Sequence, residues 1–217
     1  METSNQNQTP GKRPRGRPAG VETADIRNAI LDTAETLFAR NGYAATSIRA
    51  IADAVSVNPA MIHYYFGSKD ALLKQVLDRA LEPLADAIAN MRNAGQAPAS
   101  EIARLLLNTL SQRPNLPPLI VREVMLPGGV MQKHFLAYLA PRLGGAFPAI
   151  LQTEQEEGRM SMGLDTHIAT LNILSLCVFP LIAREMAGPA LNISYDEAGL
   201  NKLEQHITRL LDEGFAT

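Results

Sequence analysis

The chain has 217 residues, 46% of them hydrophobic and 19% charged, with a formal net charge of −2. That is an ordinary soluble composition, with length for two small domains or one large one. A single cysteine, Cys177, excludes an intramolecular disulfide and a cysteine zinc site, and suits a reducing cytoplasm.

The amino terminus, METSNQNQTPGKRPRGRP, has no apolar core and does not read as a secretory signal. Residues 1–21 are rich in Pro, Gly, Asn and Gln and read as an arm that is disordered without a partner. The first 20 residues carry Lys12, Arg13, Arg15 and Arg17 against Glu2 alone, a net of +3 that leaves −5 on the rest. A basic arm on a mildly acidic body is a local electrostatic footprint for nucleic acid. Its Arg-Gly-Arg-Pro core is similar to an AT-hook: Arg15 and Arg17 can lie in a narrow A·T minor groove, with Arg13 beside them. A solvated tail touching phosphates is the plainer alternative.

Ile26, Ile30, Ala34, Leu37 and Phe38 mark a first helix, stopped by Asn41-Gly42 in a left-handed cap. Ile48, Ile51, Ala52 and Val55 form one apolar stripe on a second helix, with Thr46 expected as its N-cap. Asn58-Pro59 is a second start signal, and Ala60 to Phe66 form a third helix with Ile62 and Phe66 turned to the core. Gly67 and Ser68 end it, and Ser68 and Asp70 open a long fourth helix with an apolar face from Leu73 to Met91, which Pro83 should kink. Two short helices joined by a tight turn, the second with a polar and aromatic outer face, form a helix-turn-helix pattern for duplex DNA.

On that reading Asn58, Ala60, Met61, His63 and Tyr64 face the major groove. Ala60 and Met61 suit thymine methyls, His63 a base edge or a phosphate, and Asn58 and Tyr64 the backbone. Thr46, Ser47 and Arg49 position the duplex through its phosphates. His63 has no Cys, Asp or Glu at ligand spacing, so a metal site there is not expected.

Beyond residue 95, Pro and Gly breaks separate helical patterns near 99–112, 118–126, 129–157, 165–187 and 196–214, with Gly144-Gly145 and Pro148 able to split the third of these. The expected fold is all-α, with about nine helices. The longest apolar run, 168–183, has 16 residues, short of the roughly 20 that span a bilayer. No phosphate-binding loop, nucleophile elbow or His-Glu-x-x-His motif occurs, so neither an enzyme nor a bound cofactor is expected.

Thr46, Ile51, Ala52, Val57, Tyr64 or Tyr65, Phe66, Ser68, Lys69 and Leu72 together resemble the DNA-binding domain of the tetracycline-repressor (TetR) family of bacterial transcriptional regulators. The resemblance covers roughly residues 22–75. The chain departs from the family pattern at Ser56 and Ala60, where glycine is common, and at His63, where tyrosine is common, which bears on operator sequence more than on fold.

The resemblance implies a DNA-binding domain at 22–70, with Lys69 on a phosphate, and a ligand-binding and dimerisation domain at 71–217. It implies a cytoplasmic homodimeric repressor that leaves a palindromic operator when a small molecule binds. An effector-independent architectural DNA binder is the alternative. Candidate walls of the ligand site are Met91, Leu106, Leu110, Met125, Met131, Phe135, Tyr138, Phe147 and Phe179, with Arg122 and His134 as orienting polar groups. The expected dimer face comprises Leu171, Leu174, Val178 and Leu181 on one late helix and Leu203, Ile207 and Leu210 on the last.

Overall fold

The computed structural model describes residues 19–94 and 98–215, and among them there is no strand. The all-α expectation holds. Helix α1, Ala19–Asn41, begins inside the stretch read as arm, and it buries Ile30, Leu31, Ala34 and Phe38. Gly42 ends it with φ +82° and an amide that donates to the Phe38 carbonyl. Helix α2, Ile48–Ala54, packs on α1, and α3, Pro59–Phe66, packs on α2, with Ile51, Ala52, Ile62 and Phe66 in the common core. Burying an isoleucine or phenylalanine side chain in this way contributes roughly 1.5–3 kcal/mol.

The α2–α3 turn is a Schellman cap: the Val57 amide donates to Ala52 O at 3.0 Å and the Ser56 amide to Asp53 O at 3.2 Å. Ser56 carries φ +55°, the left-handed conformation that usually falls to glycine.

Helix α4, Lys69–Ala94, runs through Pro83 as one helix and belongs to both halves of the molecule. It packs on α1 and α3 at its start and on α5, Ala99–Ser111, farther along. The chain continues through α6, Leu116–Ile120, directly into a π-helical turn, Val121–Met125. Next come α7, Gln132–His134, a second π-helical turn, Phe135–Leu139, and α8, Ala140–Leu143. Gly144-Gly145 then splits the helix read over 129–157, leaving α9, Phe147–Glu156, as a separate element.

The helix read over 165–187 also divides, into α10, Thr166–Ile182, and α11, Arg184–Leu191, bent by 79°. In a continuing helix the Pro180 carbonyl would accept from the Arg184 amide; it accepts instead from the Tyr195 hydroxyl at 2.9 Å. Helix α12, Glu197–Phe215, closes the fold. Helix α5 is covered by α10 and α12, and α10 by α9. No single described helix is long and apolar enough to cross a membrane.

Candidate nucleic-acid interface

The outward face of α2 and α3 is built by caps that leave polar atoms free. Ser47, not Thr46, caps α2: its Oγ accepts from the Ala50 amide at 3.0 Å, leaving its hydroxyl hydrogen to donate outward. Thr46 is buried and donates inward to Gly42 O at 2.8 Å, so it is a strut of the turn and makes no contact outside. Asn58 caps α3 by accepting from the Ala60 amide at 2.8 Å, and its Nδ2 is left facing solvent. Arg49 is exposed and lies 3.8 Å from the exposed Asp53, a pairing weak enough to exchange for a phosphate.

On α3, Ala60, His63 and Tyr64 are exposed and Met61 is half-buried. Tyr64 is 84% exposed, an unusual state for an aromatic ring and one that suits a surface to be covered. Tyr65 is half-buried, edge-on to both Tyr64 and Phe66. Lys69, in the first turn of α4, holds its ammonium 4.1 Å above the Tyr43 ring, and the Tyr43 hydroxyl donates to Asp70. A lysine stacked this way is pre-oriented at a helix N-terminus, where anions are favoured. Arg13, Arg15 and Arg17 lie outside the described residues.

Composition and spacing gave no sign of the groups that hold this face to the rest of the molecule. Glu123, buried in the first π-helical turn, accepts from the Tyr43 amide at 3.0 Å. Burial raises its carboxyl pKa above the usual 4.5, against the lowering pull of Arg122, the Val130 amide and Lys69. Arg122 meets the Ala39 carbonyl at 3.4 Å, and its side chain is the atom group that a Cβ at Gly42 would strike. Arg113 reaches Glu35 at 3.2 Å, Arg79 reaches Asp32 at 2.6 Å, and Asn115 donates to Thr36 at 3.3 Å. Glu35 is also raised by burial, partly offset by Arg113 and Arg79. The end of α1 is therefore gripped by polar contacts from α4 and from residues 113–123.

The residues read as ligand walls differ in their surroundings. Leu106, Leu110, Met131 and Phe147 are buried in the core, Met91 and Phe135 are half-buried against it, and Met125 and Phe179 are each 62% exposed. His134 and Tyr138 belong to a polar seam instead: Lys74, Asp78, Glu82 and Asp86, four residues apart on α4, oppose His134, Tyr138 and Arg142. A cleft of about 120 Å³ lies elsewhere, between Pro98, Leu151, Arg159 and Phe215, smaller than the roughly 300–1,000 Å³ of small-molecule sites.

The expected dimer residues also divide. Leu181 and Ile207 are intrachain core, Leu174, Val178 and Leu203 are half-buried, and Leu171 and Leu210 are exposed. Ile168 and Phe179 extend the exposed apolar stripe of α10 on either side of Leu171.

The family described as "Bacterial regulatory proteins, tetR family" matches residues 30–76, the stretch that holds this interface. Residues 30–76 are thus similar to the domain that the tetR-family regulators share. The chain is 28% identical over 170 residues to the HTH-type transcriptional repressor NicS of Pseudomonas putida, covering 75% of this chain and 80% of NicS. The HTH-type transcriptional repressor Rv3405c of Mycobacterium tuberculosis is 40% identical over 92 residues, 42% of this chain and 45% of that protein. The fold is similar to that of the fatty acid degradation regulator FadR from Bacillus halodurans, with a TM-score of 0.69 at 19% identity over 87% of this chain and 95% of that one. The likeness of fold to that regulator takes in the helices beyond residue 76 as well.

Proposed function

We propose that this chain is a TetR-like regulator that binds a palindromic operator as a homodimer, with α3 in the major groove, and is released by a small apolar or amphipathic effector. The observation that carries the reading is the exposed α3 stripe of Ala60, His63 and Tyr64, flanked by free donors on Ser47, Asn58 and Lys69. Donors at the edges suit phosphates, and a slender centre lets a helix enter the groove. The unpartnered stripe of Ile168, Leu171 and Phe179 on α10 supports the second copy, which places a second α3 one helical turn of DNA away.

Release requires an effector that prefers the non-binding arrangement. Opening the aliphatic interior around Leu106, Leu110 and Phe147 would shift α10, and through it α6 and its π-helical turn, with Arg122 and Glu123. Those two side chains hold Ala39 and Tyr43, and Tyr43 underlies Lys69. A tenfold loss of affinity needs about 1.4 kcal/mol of differential binding between the two arrangements.

Operator selection from a random DNA pool, followed by titration of the selected duplex with a panel of metabolites, tests the reading. A palindromic motif whose affinity falls with one compound is the expected result. Equal affinity for all duplexes, selected and random, would refute it.

A further inference from the structure

We infer that His63 is a specificity-determining residue that accepts a hydrogen bond from the exocyclic amino group of a cytosine or an adenine in the operator. The inference rests on α3 being the recognition helix. Gly67, which ends α3, has φ +79° and ψ −62°. The Ser68 amide donates back to Phe66 O at 3.0 Å, so residues 66–68 form a γ-turn of the rare positive-φ kind, open to glycine without strain. No atom lies within 4 Å of a Cβ built on Gly67, so the requirement for glycine is conformational.

This turn brings the Gly67 carbonyl to the His63 ring. His63 Nδ1 lies 3.0 Å from Gly67 O, and a carbonyl oxygen can only accept, so Nδ1 carries the proton. The neutral ring is thereby held as the Nδ1–H tautomer, and Nε2 is a fixed acceptor with no partner among the described residues.

An outward acceptor restricts what it can meet. Phosphate oxygens are acceptors, so a neutral His63 gains nothing from the backbone. In the major groove only cytosine N4 and adenine N6 donate, whereas guanine N7 and O6 and thymine O4 accept. A hydroxyl or a carboxamide could turn to suit either kind of edge; a neutral imidazole tethered to Gly67 cannot. His63 also lies centrally in the exposed stripe, with Ala60 one turn before it too small to hold the helix off the bases. At one position of each half-site it should therefore distinguish a base pair from the same pair inverted.

The test is operator selection from a random pool with the full chain and with His63→Ala and His63→Arg. Because His63 is exposed, both variants should keep the wild-type melting profile. His63→Ala should lose base preference at one position per half-site, with discrimination there falling roughly three- to tenfold and all other positions retained. His63→Arg should invert that preference towards guanine. A loss in His63→Ala spread evenly over specific and random DNA, with a shallower salt dependence, would identify a phosphate contact and overturn the inference. A wild-type motif recovered unchanged by both variants would overturn it while leaving α3 as the recognition helix. A wild type that selects no motif would refute both readings.

Discussion

The Glu123 carboxylate accepts the backbone N–H of Tyr43 at 3.0 Å, tying a π-helical turn of the second half of the chain to the turn that precedes α2. Truncating it to alanine leaves a part-buried amide without its acceptor, which costs about 1–3 kcal/mol. Glu123→Ala should lower the melting temperature and weaken DNA binding, because Tyr43 supports Lys69. A variant with wild-type affinity would show that the link does not reach the DNA face.

The same carboxyl sets a pH dependence. Burial raises its native pKa above 4.5, while the unfolded chain titrates near the ordinary value. The native state therefore holds the proton over a wider range, and this group's favourable contribution is full below 4.5 and is lost as pH rises through the native value. Glu123→Gln cannot ionise, so its melting temperature relative to wild type should climb between acid and neutral pH. A difference that stays flat across that range counts against the assignment.

Ser56 holds a left-handed conformation that costs an L-residue about 1–2 kcal/mol, part of which glycine returns through its freer unfolded chain. Ser56→Gly should stabilise the protein by about 1 kcal/mol, roughly 2–4 °C in melting temperature for a chain of this size. Calorimetry decides it; a lower midpoint would mean that the serine side chain contributes more than the strain.

The helix-turn-helix was legible because its signals are local. Asn58-Pro59, Gly42 and the Ile48–Val55 stripe each dictate a start, a stop or a buried face within one or two turns. Thr46 and Ser47 offer the same capping chemistry in the sequence, and only the inward pull of the Gly42 carbonyl on Thr46 leaves the cap to Ser47. Beyond α4 the text is poorer. Phe179 and Phe147 read alike as aromatic residues in apolar helices, yet one is 62% and the other 1% exposed. Nothing local distinguishes an exposed apolar face from one packed into the core. The division of α10 from α11 was hidden for a similar reason, since the Pro180 carbonyl is taken by Tyr195, 15 residues away.

Cys177 is buried with its thiol towards Ala103 O, and desolvation pushes its pKa up to about 12. The thiolate is the nucleophile, so the native chain should be inert to thiol reagents at neutral pH and react fully once unfolded. Rapid labelling of the folded protein would place this part of α10 in a more open state than the packing indicates.

Two kinds of apolar position on the last helices should separate in solution. Leu171→Glu and Phe179→Glu place a charge on an exposed face, so each variant should fold with near-native helicity yet sediment as a monomer and lose operator affinity. Leu181→Ala and Ile207→Ala remove core contacts and should cost about 2–5 kcal/mol of stability instead. Dimeric Leu171→Glu and Phe179→Glu variants at micromolar concentration would remove α10 from the interface.

Lys69 should act on DNA as a charge and not as a reader of sequence. Its ammonium is held above the Tyr43 ring at the start of α4, where the helix dipole also favours an anion. Lys69→Ala should therefore weaken specific and random duplexes alike. It should also reduce the slope of log affinity against log salt by about 0.9 per protomer, since one fewer counterion is displaced from each half-site. Measuring binding by fluorescence anisotropy over a series of salt concentrations gives that slope directly. A slope equal to that of the wild type, even with reduced affinity, would mean that Lys69 serves only to brace Tyr43.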